Sequence, residues 1–323
     1  MTWWNRILDK SILFSFDRSG YQRHERAFLS GSLDVSMEGR SCLVSGANSG
    51  LGFELARGLA ARGAAVHMLC RNPQRGAQAK QAIQAEHSAA QLQLHIVDLS
   101  SLASIRSFVA GFEINRVDVL LHNAGLLPLR RELTADGLEL TVATHLVGPF
   151  LLTRLLAEKL AGGRVVFVSS GGMYAKRLDV EAMLRNEGSY DGVAAYAMTK
   201  RAQVVLAELL AEQLKQRNIT VNSMHPGWAA TPGVERSLPR FWTVMGKRLR
   251  TPAQGADTAL WLAVAAEVEG LSGRFWFDRE VVSPYLFPGT REDELERRRL
   301  WALCERLAGG FTSAASEPSD SEP

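Results

Sequence analysis

Between about residues 40 and 278, short apolar runs alternate with longer segments of helical period. The runs SCLVSG, AAVHMLC, LQLHIVDL, VDVLLHNAG, RVVFVSS and ITVNSMHPG read as strands. The segments GFELARGLAARG, PQRGAQAKQAIQAEH and SLASIRSFVAGF read as helices, as do a long stretch near 134–161 and another near 194–216. Pro73 suits a first helical turn and Gly63 a helix end. The strand runs lack clean in–out alternation, so both faces of a parallel sheet must be covered. The pattern predicts an α/β fold with a doubly wound, Rossmann-like parallel sheet, as a single domain over 39–310.

Two flanks fall outside the repeat. In residues 1–38, Trp3, Trp4, Ile7, Leu8 and Ile12 share one helical face. Such a helix either packs on its own domain or a partner subunit, or lies on a membrane surface through residues 1–16. TREDELERRRLWALCERLAGG reads as a C-terminal helix, and the polar segment 311–323 as a disordered tail.

Composition narrows the class. The chain has 323 residues, 46% hydrophobic and 22% charged, with a net charge of +3, which gives no argument for a nucleic-acid partner. Cys42, Cys70 and Cys304 are scattered without a C-x-x-C pair, so neither a disulfide framework nor a metal site is expected and a cytoplasmic, reducing setting is. No apolar stretch approaches the roughly 20 residues that span a bilayer. The first residues do not have the layout of a signal peptide.

The chemistry starts at SGANSGLG, where Gly46, Gly50 and Gly52 join the first strand to the first helix. The spacing is neither G-x-G-x-x-G nor a P-loop. A turn without Cβ atoms lets backbone N–H groups and a helix N-terminus approach a phosphate. At the end of the second strand, about 20 residues on, Cys70 stands where an acid would bind a ribose hydroxyl, and Arg71 follows. A guanidinium there pairs with a 2′-phosphate, which favours NADP(H) over NAD(H). Tyr196 and Lys200, four apart, share a helical face, and Ser170 closes a strand at its C-terminal end.

Together, in this order, G-x-x-x-G-x-G, Asp98 in VDL, HNAG at 122–125, Y-x-x-x-K and HPGWAAT resemble the short-chain dehydrogenase/reductase family. The long segment between Ser170 and Tyr196 resembles its retinol-dehydrogenase-like branch. The resemblance implies that Ser45, Gly46, Asn48, Ser49, Gly50, Leu51 and Gly52 form the cofactor turn. Asp98 and Leu99 lie near adenine, and Asn123, Ala124 and Gly125 follow the fourth strand. Pro226, Gly227 and Thr231 close over the cofactor. Tyr196 is then the proton donor or acceptor, Lys200 its cationic neighbour and a ribose ligand, and Ser170 (with Ser169 as the adjacent alternative) the group that holds the substrate oxygen.

His145 stands where the family has an asparagine that holds a water in a proton relay. Either the imidazole preserves that relay, or the chain is a catalytically weak nucleotide-binding regulator or scaffold. His122 replaces the first Asn of N-N-A-G and reads as structural. The segment after Thr231 carries Phe241, Trp242, Val244 and Met245 among Arg236, Arg240, Lys247, Arg248 and Arg250. It reads as a lid for an apolar or lipid-like carbonyl or alcohol, its basic residues in solvent. Family dimers pair the helices near 134–161 and 194–216, so a homodimer is one expectation.

Overall fold

The computed structural model describes residues 8, 11–185 and 188–309. Trp3, Trp4 and Ile7 and the 311–323 tail lie outside the described residues. Two short helices, α1 (Ile12–Phe16) and α2 (Arg18–His24), precede β1 (Ser41–Ser45). Then follow α3 (Gly50–Ala60), β2 (Ala65–Cys70), α4 (Pro73–Glu86), β3 (Gln91–Ile96), α5 (Leu102–Ala110) and β4 (Val119–His122). α6 (Leu140–Val142) passes through a π turn at Ala143–Val147 into α7 (Gly148–Leu155), and β5 (Arg164–Val168) comes next. After α8 (Val180–Leu184) and α9 (Gly192–Gln213) comes β6 (Thr220–Met224). α10 (Pro232–Ser237), α11 (Pro239–Met245), α12 (Pro252–Val264), β7 (Phe275–Phe277), β8 (Glu280–Val281) and α13 (Glu294–Leu307) complete the fold.

The strands form one sheet in the order β3-β2-β1-β4-β5-β6-β7-β8, parallel except for the β7–β8 pair. The order reverses between β1 and β4, which opens a crevice at the strand C-termini. Both sheet faces are buried. Leu43, Leu69, Leu120, Val165 and Phe167 face a core shared with α5, α7 and α9. Cys42, Val44, Val66, Met68, Val119 and Val166 face the opposite core with α3 and α12. That two-sided burial accounts for the unbroken apolar runs.

The helix expected near 134–161 is shorter. Asp136 and Gly137 (φ 74°) make a turn, closed by Thr134 N–H to Leu138 O at 2.8 Å. The Glu139 carboxylate then caps the helix, accepting from Thr141 N and Val142 N at 2.9 Å. Polar residues within reach of free backbone donors thus outweigh helical period here.

The described parts of both flanks are pinned to the domain. Arg250, expected in solvent, is fully buried. Its Nε donates to Phe16 O at 2.9 Å and one terminal nitrogen to Ser15 O at 2.9 Å. The same guanidinium grips Asp278 at 2.5 and 2.8 Å. Its planar fork can bridge both of these backbone carbonyls and a carboxylate at once, and this decides its burial. α1 therefore packs on the domain through Phe16.

At the other end, α13 covers α9 and the π turn. Buried Arg201 on α9 donates to Glu292 at 2.6 and 3.1 Å and to Pro284 O at 2.7 Å. Trp301 meets Phe150 edge-on at 5.2 Å. Part of the face expected to pair two copies is thus occupied by the chain's own C-terminal helix.

Removing one partner from a buried pair leaves an uncompensated charge. Glu292→Ala is expected to lower the unfolding free energy by about 3–5 kcal/mol. The combined change Arg201→Met with Glu292→Leu should recover most of that loss. Urea denaturation checks both.

Candidate functional site

The glycine loop leaves β1 at its C-terminal end. Ser45 Oγ is buried and accepts from Asn123 N and Ala124 N at 3.0 Å, while donating to Leu121 O at 3.2 Å. Asn123 Nδ2 answers by donating to Ser45 O at 3.0 Å. These bonds join the ends of β1 and β4 across the switch point. Gly46 (φ 67°) and Gly50 (φ 56°) take left-handed conformations that favour glycine. Gly52 is needed for another reason: a Cβ there would overlap the Gly46 carbonyl and the Asn123 amide. The start of α3 thus packs closely on the loops that follow β1 and β4.

α3 begins at Ser49 without a side-chain cap. Among the described residues, α4, α5, α9, α12 and α13 are all capped by a side chain at their starts. The first N–H groups of α3, near Asn48, Ser49, Gly50 and Leu51, are left to face the crevice. An uncapped helix start beside glycines is the donor set that a phosphate fits. Thr231 comes close on the far side: a Cβ on Gly50 would lie 3.2 Å from its methyl. Thr231 Oγ1 caps α10 by accepting from Val234 N at 3.3 Å. Pro226 and Gly227 (φ 67°) belong to the same wall, where a Cβ on Gly227 would strike Arg250.

Along the crevice, Cys70 is buried and its thiol is pushed up to about 11 by burial. Arg71 is exposed at the end of β2, and among the described residues it makes no ion pair. Asp98 is half-buried, and one of its carboxylate oxygens accepts from Ser100 N at 2.9 Å and Ser100 Oγ at 2.7 Å. The Leu99 carbonyl presses against Gly148, so that neighbour's lack of a side chain is needed.

Tyr196 and Lys200 lie on the first half of α9, against the end of β5. Lys200 Nζ donates to Val168 O at 2.8 Å and sits 5.7 Å from the Tyr196 ring centre. The Tyr196 hydroxyl meets the hydroxyl of Ser170, which counters the rise that burial imposes on the phenol. Burial pushes Lys200 down to about 7. The ammonium is therefore close to half-protonated near neutrality while the phenol keeps its proton; both charged forms are penalised by lost hydration. Ser169 is committed elsewhere, donating to Lys200 O at 2.8 Å.

His145 reaches the site, but as a brace. Its Nε2 accepts from Leu126 N at 3.1 Å, so Nδ1 carries the proton and donates to Thr199 Oγ1 at 2.9 Å. Burial and the nearby Lys200 hold it well below the ordinary imidazole range. Both ring nitrogens thus have protein partners. His122 is also neutral, at about 3 by burial, and bonds Thr153 at 2.7 Å. Gly125 is exposed, and a Cβ there would stand 3.3 Å from His145 Nε2 and 3.4 Å from Lys200 Nζ.

Sequence reading missed three contributors. Gln203, one turn after Lys200, bonds it directly at 2.9 Å. Thr199 orients His145. Phe16, in the N-terminal extension, stands against Gly171, beside Ser170. The spacing of Gln203 after Lys200 was a usable signal; no local pattern announces Phe16. A cleft of about 1140 Å³ opens at the opposite strand ends, near Arg40, Asp118 and Arg274, but holds none of these groups.

Comparison with known proteins agrees with this geometry. The family model for short chain dehydrogenase matches residues 40–240. Dehydrogenase/reductase SDR family member 12 of Bos taurus is 40% identical over 305 residues, 93% of this chain and 96% of that protein. Retinol dehydrogenase 11 of Homo sapiens is 35% identical over 282 residues, 85% of this chain and 87% of that one. The crystal structure of an uncharacterized protein from Mycobacterium paratuberculosis aligns with a TM-score of 0.70 at 28% identity, covering 86% of this chain and 96% of that one. The chain belongs to the short-chain dehydrogenase family, in its retinol-dehydrogenase-like branch, and is an NAD(P)(H)-using oxidoreductase of small molecules.

Proposed function

We propose that this oxidoreductase interconverts a carbonyl and an alcohol, prefers NADP(H), and acts on an apolar or lipid-like substrate. The observation that carries this reading is the meeting of Tyr196, Ser170 and Lys200 at the strand tips, beside an uncapped helix start. When bound, the nicotinamide supplies or takes the hydride. Tyr196 holds its proton in the resting site, which suits donation to a carbonyl oxygen during reduction. The Ser170 hydroxyl, beside it, orients that oxygen. In oxidation, a protonated Lys200 next to the phenol favours the phenolate that accepts the proton.

Cofactor preference rests on Arg71, exposed beyond β2 and without an ion pair among the described residues, with a buried thiol in place of a carboxylate. An acid there would repel a 2′-phosphate, and a guanidinium attracts one. Substrate class rests on the wall beyond Ser170. Phe16 meets Trp228 edge-on at 5.9 Å, and Trp228 meets Phe241 of α11 at 5.3 Å. These rings line the approach to Ser170 with apolar surface, while Arg236, Arg240, Lys247 and Arg248 stay exposed.

Tyr196→Phe should cut turnover at least about a hundredfold, the usual scale of a lost general acid, with NADPH affinity nearly unchanged. A panel of aldehydes and ketones followed by NADPH absorbance checks it; parent-like rates would remove Tyr196 from its role. Arg71→Ala should weaken NADPH binding more than NADH binding, as read by fluorescence titration of both. Equal losses would remove the 2′-phosphate contact. Lys200, held at about 7 against an ordinary 10.5, opposes folding fully below pH 7. That opposition fades as pH rises toward the unfolded value. Any stability gain of Lys200→Met over the parent should therefore be larger at acid pH than near pH 10, as checked by urea unfolding at both ends.

A further inference from the structure

Pro149 stands four residues after His145. It has no N–H, so the His145 carbonyl lacks its ordinary helical donor. That carbonyl lies in the π turn, on a fully buried residue. The side chain of Gln203 fills the gap, its Nε2 donating to His145 O at 2.8 Å. The other end of the same amide, Oε1, accepts from Lys200 Nζ at 2.9 Å. Gln203 has no exposed surface. Its orientation is forced, because an ammonium can only donate and a carbonyl can only accept.

An ammonium has three donors. One goes to Val168 O and one to Gln203. The third is left for the open side, past exposed Gly125 and toward Tyr196. Without the amide, two donors would turn in a buried space and the His145 carbonyl would lose its partner. An aliphatic side chain at this position would serve neither group. A carboxylate would serve the lysine and repel the carbonyl.

We infer that Gln203 is a positioning residue: its amide couples Lys200 to the π turn, favours the ammonium form, and aims the remaining N–H at the reaction side. The catalytic meaning of this coupling rests on the function proposed above; the coupling itself does not. The titratable groups that face Nζ are Tyr196 on α9 and His145 on the π turn, and neither is anionic in the resting site. From β5 it meets the Val168 carbonyl, and from the loop after β4 the Gly125 backbone. Two neutral acceptors, one of them Gln203, therefore offset part of the penalty that burial sets on the ammonium.

The test is an NMR titration of the full chain labelled at lysine Cε, with and without NADPH, with Lys200→Arg used to assign the signal. Gln203→Met is expected to lower the Lys200 midpoint by about 1–2 pH units, the equivalent of one charge-assisted hydrogen bond. Gln203→Glu is expected to raise it. If the methionine variant fails to fold, the isosteric glutamate variant carries the test. A merely structural glutamine would change unfolding free energy and leave the midpoint in place; midpoints equal to the parent's in the folded variants overturn the inference. These titrations need no turnover. Retained turnover in Tyr196→Phe would sink the proposed function and leave them readable, whereas an unmoved lysine in an active enzyme sinks this inference alone.

Discussion

Lys200 Nζ donates to the Val168 carbonyl at the end of β5, and the Lys200 carbonyl accepts from the hydroxyl of Ser169, the next residue along, both at 2.8 Å. This reciprocal pair fixes the rotation and height of α9 on the sheet. Tyr196, one turn earlier, then falls beside Ser170, the next residue along from Ser169. A slip of α9 by one residue would turn the phenol away by about 100°, at 3.6 residues per turn. The buried apolar contacts of α9 hold it on the core, and these polar bonds help select one register at the strand tip.

The same burial that makes those bonds firm sets the charge state. Low hydration disfavours both the ammonium and the phenolate. The resting site is thus nearly neutral, with His145, His122 and His225 all uncharged by burial. Charge entering the site, whether on a nicotinamide ring or on a forming alkoxide, acts there with little screening. Neutral acceptors, Val168 O and the Gln203 amide, hold the lysine without a counter-ion that would neutralise its pull on the phenol.

The N-terminal extension bears on the site through Arg250. One guanidinium binds the Ser15 and Phe16 carbonyls and the Asp278 carboxylate. Asp278 also bonds His24 at 2.6 Å. Phe16 is thereby pressed against Gly171 and His225, the latter at 4.5 Å. The extension is part of the wall beside Ser170.

Much of the fold and site could be read from the chain because the signals are local. Apolar runs mark strands buried on both faces, and glycines mark a turn that needs left-handed φ. Tyr196 and Lys200 are brought together by helical spacing alone. The order of these elements identified the family before any distance was known. Tertiary structure alone decided the rest, since it turns on which distant groups satisfy one another. The engagement of the Ser169 hydroxyl depends on a carbonyl of α9. The bonding of both His145 ring nitrogens depends on Leu126 and Thr199, residues 19 and 54 positions away. The burial of Arg250 depends on carbonyls 234 and 235 positions away. A residue's type states which bonds it can make; only the folded chain settles which partners arrive within reach, because a buried polar group left without one is costly.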